Sequence, residues 1–232
     1  MLTVVGSPSF VPGSTPGAAG DAGGLAAGIA RAAAADGVEV QLVGKVGDDP
    51  SGDAVLLALG RERVGHRAIL RDAGHPTPIA PPRVPVADSA ETEAIATLLG
   101  DDATAEEPPD GPGAAAPPAG LAMEPADISL GLRYVREFRV LVAADPLDEP
   151  SSLVIADAAT FADAALIVVA PHGVATPVAP VSAIVLQAPD TDPDGEFATL
   201  VGRLAAALDR GEDVGEAFRS ATAQGGWERA VG

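Results

Sequence analysis

Five short apolar runs punctuate this chain, and most of the intervals between them read as helix. The runs are LTVVG at 2–6, VEVQLV at 38–43, FRVLVA at 138–143, ALIVVA at 165–170 and SAIVLQ at 182–187. A short run that is apolar on successive residues must be covered on both faces, which suits a parallel strand sandwiched between helices. The intervals supply those helices. Gly23 to Ala35 is a helix of small residues that stops at Asp36-Gly37, where glycine frees the backbone to turn away. Asp49-Pro50 opens another, with Asp as N-cap and Pro in the first turn, running to about Arg63. Pro150 to Ala162, Asp194 to Arg210 and Val214 to Ala223 complete the set. Strands alternating with helices predict a three-layer α/β domain with a largely parallel central sheet flanked by helices.

A chain of 232 residues fits one such domain, spanning 1–232. Between the two halves the pattern lapses. Residues 66–87 hold strand-like pieces, but Pro76, Pro78, Pro81, Pro82 and Pro85 confine them to sheet edges or loops. Asp88 to Leu99 predicts a short helix. The Pro/Ala/Gly-rich stretch DDATAEEPPDGPGAAAPPAG at 101–120 has almost no large apolar residue to bury, which predicts a mobile loop.

Charge excludes several function classes. The formal net charge is −19 with a pI near 4.2, and no local basic patch offsets it, so phosphate backbones and anionic membrane surfaces are repelled. There is no Cys, which removes disulfides, thiolate metal sites and Cys nucleophiles. No basic leader followed by an apolar segment begins the chain, and no apolar run is long enough to span a bilayer, so the expected location is cytoplasmic. GGLAAG lacks the glycine spacing of a dinucleotide fingerprint, and Lys45 lacks the Ser or Thr that follows the Lys of a P-loop. Lys45 reads as a surface charge, and His66, His75 and His172 read as loop residues.

Two stretches carry a family resemblance. Residues 23–66, GGLAAGIARAAAADGVEVQLVGKVGDDPSGDAVLLALGRERVGH, contain a Gly-Gly pair opening a small-residue helix and then a strand ending in VGKVGDDPSG. DTDPDGEF at 190–197 precedes a helix pair. Together they resemble the PfkB carbohydrate kinases of ribokinase-like fold. The resemblance implies ATP- and Mg²⁺-dependent phosphorylation of a sugar or nucleoside. In that family a Gly-Ala-Gly turn at a helix N-terminus cradles phosphate oxygens, and the following Asp takes the proton from the attacking hydroxyl.

This chain departs from that pattern. Pro193-Asp194-Gly195-Glu196 stands where Gly-Ala-Gly-Asp is expected, so a backbone donor is lost and a carboxylate enters the phosphate position. Glu196 is the residue left to act as catalytic base, displaced by its extra methylene. Gly28 stands at the sugar-binding Asn, Val11 at an early Asp, and Pro78 at the Gly of a Pro-Thr-Gly turn. The chain is also shorter than a full family member. These departures point to a shortened, catalytically degenerate relative that binds a small molecule or a protein and needs no cofactor. The alternative is an ATP-dependent sugar or nucleoside kinase using Glu196. Gly23, Gly24, Gly28, Asp194 and Gly195 are the candidate ligand-binding residues, and homodimerisation is left open.

The carboxylates of DTDPDGEF admit a second chemistry. Asp190, Asp192, Asp194 and Gly195 match the opening of a calcium loop, but its twelfth position, where a bidentate Glu should close the shell, is Val201. Helix capping is the simpler reading, with Asp192 as N-cap, Pro193 in the first turn, and Asp194 and Glu196 complementing the helix dipole.

Overall fold

The computed structural model describes residues 1–13, 15, 18–80, 121–135, 137–173, 182–192 and 194–225. The helix expected at 88–99 and the loop expected at 101–120 lie outside these residues. In chain order the elements are β1 (Leu2–Val5), β2 (Ser9–Val11), β3 (Asp21–Gly23), α1 (Leu25–Ala35), β4 (Val40–Gly47), α2 (Pro50–Arg61) and β5 (Val64–Asp72). There follow α3 (Pro125–Arg133), β6 (Val140–Ala143), α4 (Glu149–Phe161), β7 (Ala165–Ala170), β8 (Ile184–Gln187), α5 (Glu196–Asp209) and α6 (Val214–Gly225).

Six strands form one parallel sheet in the order β5-β4-β1-β6-β7-β8. Alternate residues of the buried strands serve opposite layers, as the period of two requires. Leu2, Val4, Leu42, Val142 and Ile167 belong to the core shared with α1, α2, α5 and α6. Val5, Val43, Leu141, Ala143 and Leu166 belong to the core shared with α3 and α4. The small-residue composition sets how closely the helices meet. A Cβ at Gly28 of α1 would lie 2.9 Å from the Ala198 Cβ of α5, and one at Gly202 would lie 2.6 Å from the Ala32 Cβ. Larger side chains would push these helices apart.

Some local expectations need correction. β5 is an unbroken edge strand ending before the first proline of its region, so His66 sits in a strand rather than a loop. Lys45 is not a free surface charge: it is 13% exposed and pairs at 2.5 Å with Asp127 of α3. Two elements had no counterpart in the sequence reading, α3 and a small antiparallel sheet of β2 with β3. Among the described residues no helix is long and apolar enough to cross a membrane.

Candidate functional site

From β1 the chain builds outward through β4 and β5, then returns to place β6 on the other side of β1. The strand order therefore reverses between β1 and β6, and in open parallel sheets the crevice beyond the strand ends at such a point is where ligands bind. Val5 and Ala143 are in register at the end of this pair. Just past them lies a cleft of about 200 Å³ whose lining includes Gly6, Ser7, Glu124, Asp145 and Asp148.

The chemistry of the cleft is that of hydrogen-bond acceptors. Ser7 N–H donates to Asp145 Oδ2 at 2.5 Å, and Ser7 Oγ donates to the Leu121 carbonyl at 3.3 Å. Glycine is needed at position 6, because a Cβ there would meet the Ala26 Cβ at 2.8 Å and the Asp145 carboxyl at 3.1 Å. Burial pushes the Asp145 carboxyl up to about 6, and the single N–H of Ser7 offsets only part of that. The sequence reading missed Asp145. Its signal was an Asp directly after a fully apolar strand, a position that a parallel sheet turns towards the crevice.

The second part of the site is the start of α5. Its N-cap is Gly195, whose φ of 70° lies in the left-handed region that favours glycine. Asp192 is therefore not the N-cap, and the helix starts later than Pro193. Asp192 nevertheless reaches over the turn: Phe197 N–H donates to its Oδ1 and Ala198 N–H to its Oδ2, both at 3.1 Å. A carboxylate of the chain itself thus holds two of the free N–H groups that open the helix.

The remaining candidates divide. Gly24, with φ 86°, is exposed at the start of α1 beside Ser7, whose carbonyl lies 3.4 Å from where its Cβ would be. Gly23 is buried against Val11 of the small sheet, and Gly28 faces Ala198 in the contact between α1 and α5. Asp190, Asp194 and Glu196 are exposed. Among the described residues no group of three or more His, Asp or Glu is arranged to hold a metal ion. Gly6, beside Asp145, packs on Ala26 of α1, and Gly28, two residues further along α1, packs on Ala198 of α5.

Comparison with known proteins agrees with this geometry. The model of the pfkB family carbohydrate kinases matches residues 18–98. The PfkB protein from Polaromonas sp. JS666 superposes with a TM-score of 0.59 at 15% identity, over 97% of this chain and 94% of that one. The chain has a ribokinase-like fold, and its residues 18–98 resemble the PfkB family. Arabidopsis thaliana ribokinase, solved with ribose and ATP, gives a TM-score of 0.57 at 14% identity, over 97% of this chain and 90% of that one. The apo form of a putative Ribokinase II from E. coli gives 0.59 at 12% identity, over 97% and 91%. No curated protein matches by sequence. At these identities the structural likeness speaks for the ribokinase-like fold, and the match to the PfkB model is confined to the N-terminal segment, which spans β3 to β5 and continues beyond the described residues.

Proposed function

We propose that this PfkB-like chain is a binding module that holds a small polyhydroxylated molecule in the crevice between β1 and β6 and does not phosphorylate it. The observation that carries the reading is the Asp192 carboxylate on the N–H groups of Phe197 and Ala198. A phosphoryl group is stabilised at a helix N-terminus by free backbone donors and the positive end of the dipole. Here both are already satisfied by a resident anion, while Asp194 and Glu196 add charge of the wrong sign nearby. Loss of one preorganised donor costs about 3 kcal/mol of transition-state stabilisation in well-studied sites, so loss of two is enough to abolish useful turnover.

The crevice itself retains the means to bind. Asp145 and Asp148 present carboxylates, Ser7 adds a hydroxyl, and among the described residues no Lys, Arg or His lines the cleft. Sugar hydroxyls are donors that suit such a lining, whereas an anionic ligand would meet like charge. The kinase alternative, with ATP, Mg²⁺ and Glu196 as base, draws on the PfkB segment and requires Asp192 to leave the helix.

Incubation with ATP, Mg²⁺ and a panel of sugars and nucleosides is expected to release no ADP above background. Turnover that disappears in Glu196→Gln would restore the kinase reading. In parallel, calorimetric titration with the same panel is expected to find a sugar or nucleoside that binds without ATP and loses affinity in Asp145→Ala.

A further inference from the structure

The motif VGKVGDDPSG, which carries much of the family resemblance, contributes no lining residue to the crevice, yet its side chains are heavily engaged. Asp49 Oδ1 accepts from Gly52 N–H at 2.7 Å and from Thr77 Oγ1 at 2.9 Å, while Oδ2 accepts from Thr77 N–H at 2.7 Å. Thr77 Oγ1 in turn accepts from Gly47 N–H at 2.9 Å, and Thr77 is 3% exposed. The two glycines make this approach possible. A Cβ at Gly47 would lie 2.5 Å from Thr77 N, and one at Gly52 would lie 2.3 Å from the Gly47 carbonyl and 3.0 Å from Thr77 Oγ1. Gly47, Asp49 and Gly52 therefore form a socket, and Thr77 is what it holds.

Beyond Thr77 the chain runs along the free edge of β2. Phe10 N–H donates to the Pro78 carbonyl and Ala80 N–H donates to the Phe10 carbonyl, each at 2.8 Å, with Phe10 bridged to Ile79. Phe10 thus stands between Ala22 of β3 on one side and Ile79 on the other. Apolar burial contributes little on the outer side, where Ile79 is 65% exposed and Ser9, Phe10 and Val11 are only half-buried.

We infer that the Asp49–Thr77 socket is a positioning device: it straps residues 77–80 to the start of α2 and thereby sets where β2 sits relative to the main sheet. Because only Pro8 separates Ser7 from β2, the strap also fixes the segment leading out of the crevice. A segment held by a few polar bonds and little buried apolar surface opens locally, as a unit, when those bonds are lost.

Native-state amide hydrogen exchange tests this on the full chain. Thr77→Val removes the hydroxyl at nearly constant volume, and Asp49→Ser keeps an oxygen to cap α2 but cannot span to Thr77. Both are expected to speed exchange at Phe10 and Ala80 by roughly tenfold or more, leaving amides of β1 and of β4 short of Gly47, whose own N–H bonds Thr77, at their original rates. Thr77→Ser, which keeps the hydroxyl, is expected to retain the slow rates. Unchanged exchange at Phe10 and Ala80 would overturn the inference, as would equal acceleration throughout the sheet or failure of Thr77→Ser to protect.

Discussion

Of the helices that begin under an aspartate, α2 and α5 use theirs differently. Asp49 is the N-cap of α2, in extended conformation, with Gly52 N–H three residues on as its partner. Asp192 stands three residues ahead of the N-cap of α5 and reaches across a left-handed glycine to N–H groups five and six residues away. The first arrangement is local and adds a long-range partner, Thr77. The second is a carboxylate in the place where a helix start would receive an external anion. One helix N-terminus is thus tied to a distant segment and the other is closed by the chain's own carboxylate, and the distinction lies in what the second carboxylate oxygen reaches.

In a third aspartate, Asp145, the balance between burial and donors falls the other way. Burial works to raise Asp49, but N–H donors from Gly52 and Thr77 and the Thr77 hydroxyl outweigh it, so its carboxyl falls below the ordinary range. Asp145 is much more strongly desolvated, has one donor, Ser7, and ends raised. The two therefore pull stability in opposite directions with pH. Asp49 contributes above the ordinary carboxylate pKa, and its contribution is lost as pH falls through the depressed value. Asp145 favours the fold below the ordinary value and ceases to do so as pH rises through about 6.

The largest expected effect comes from Asp49→Ala, which removes the α2 cap and leaves the buried Thr77 N–H without its acceptor. About 3 kcal/mol of stability should be lost in urea unfolding at pH 7, and a loss confined to the size of a simple cap would remove the distinction drawn for Asp49. Next, Asp145→Asn should stabilise the protein at pH 8 by about 2 kcal/mol, allowing for its partial exposure, with the gain fading towards pH 4. A gain that grew on acidification would contradict the raised carboxyl. The smallest cost falls on Asp192→Ala, at about 1 kcal/mol in the same assay. That variant uncovers the Phe197 and Ala198 N–H groups, so inorganic phosphate should raise its melting temperature more than that of the parent chain. An equal response in both would mean that Asp192 does not stand in for an anion.

Much of this protein was legible from its residues alone. The apolar runs at β1, β4, β6 and β7 need cover on both faces, whereas β8 at the sheet edge leaves Val185 exposed, and the Asp49-Pro50 and Asp36-Gly37 signals act within a single turn. Interactions of that range belong to the local sequence, and the parallel three-layer fold followed from them. Lys45, Asp145, Thr77 and Asp192 were different cases. Lys45 found Asp127 on a helix 82 residues away, and Asp145 met Ser7 only because β6 pairs with β1. Thr77 entered the Asp49 socket across a helix, a strand and a turn. Asp192 could reach Phe197 only once Gly195 had turned the backbone left-handed. Periodicity and caps report how a residue treats its near neighbours. Which distant donor meets which carboxylate depends on strand order and the close approach of helices, and that is settled only when the sheet assembles.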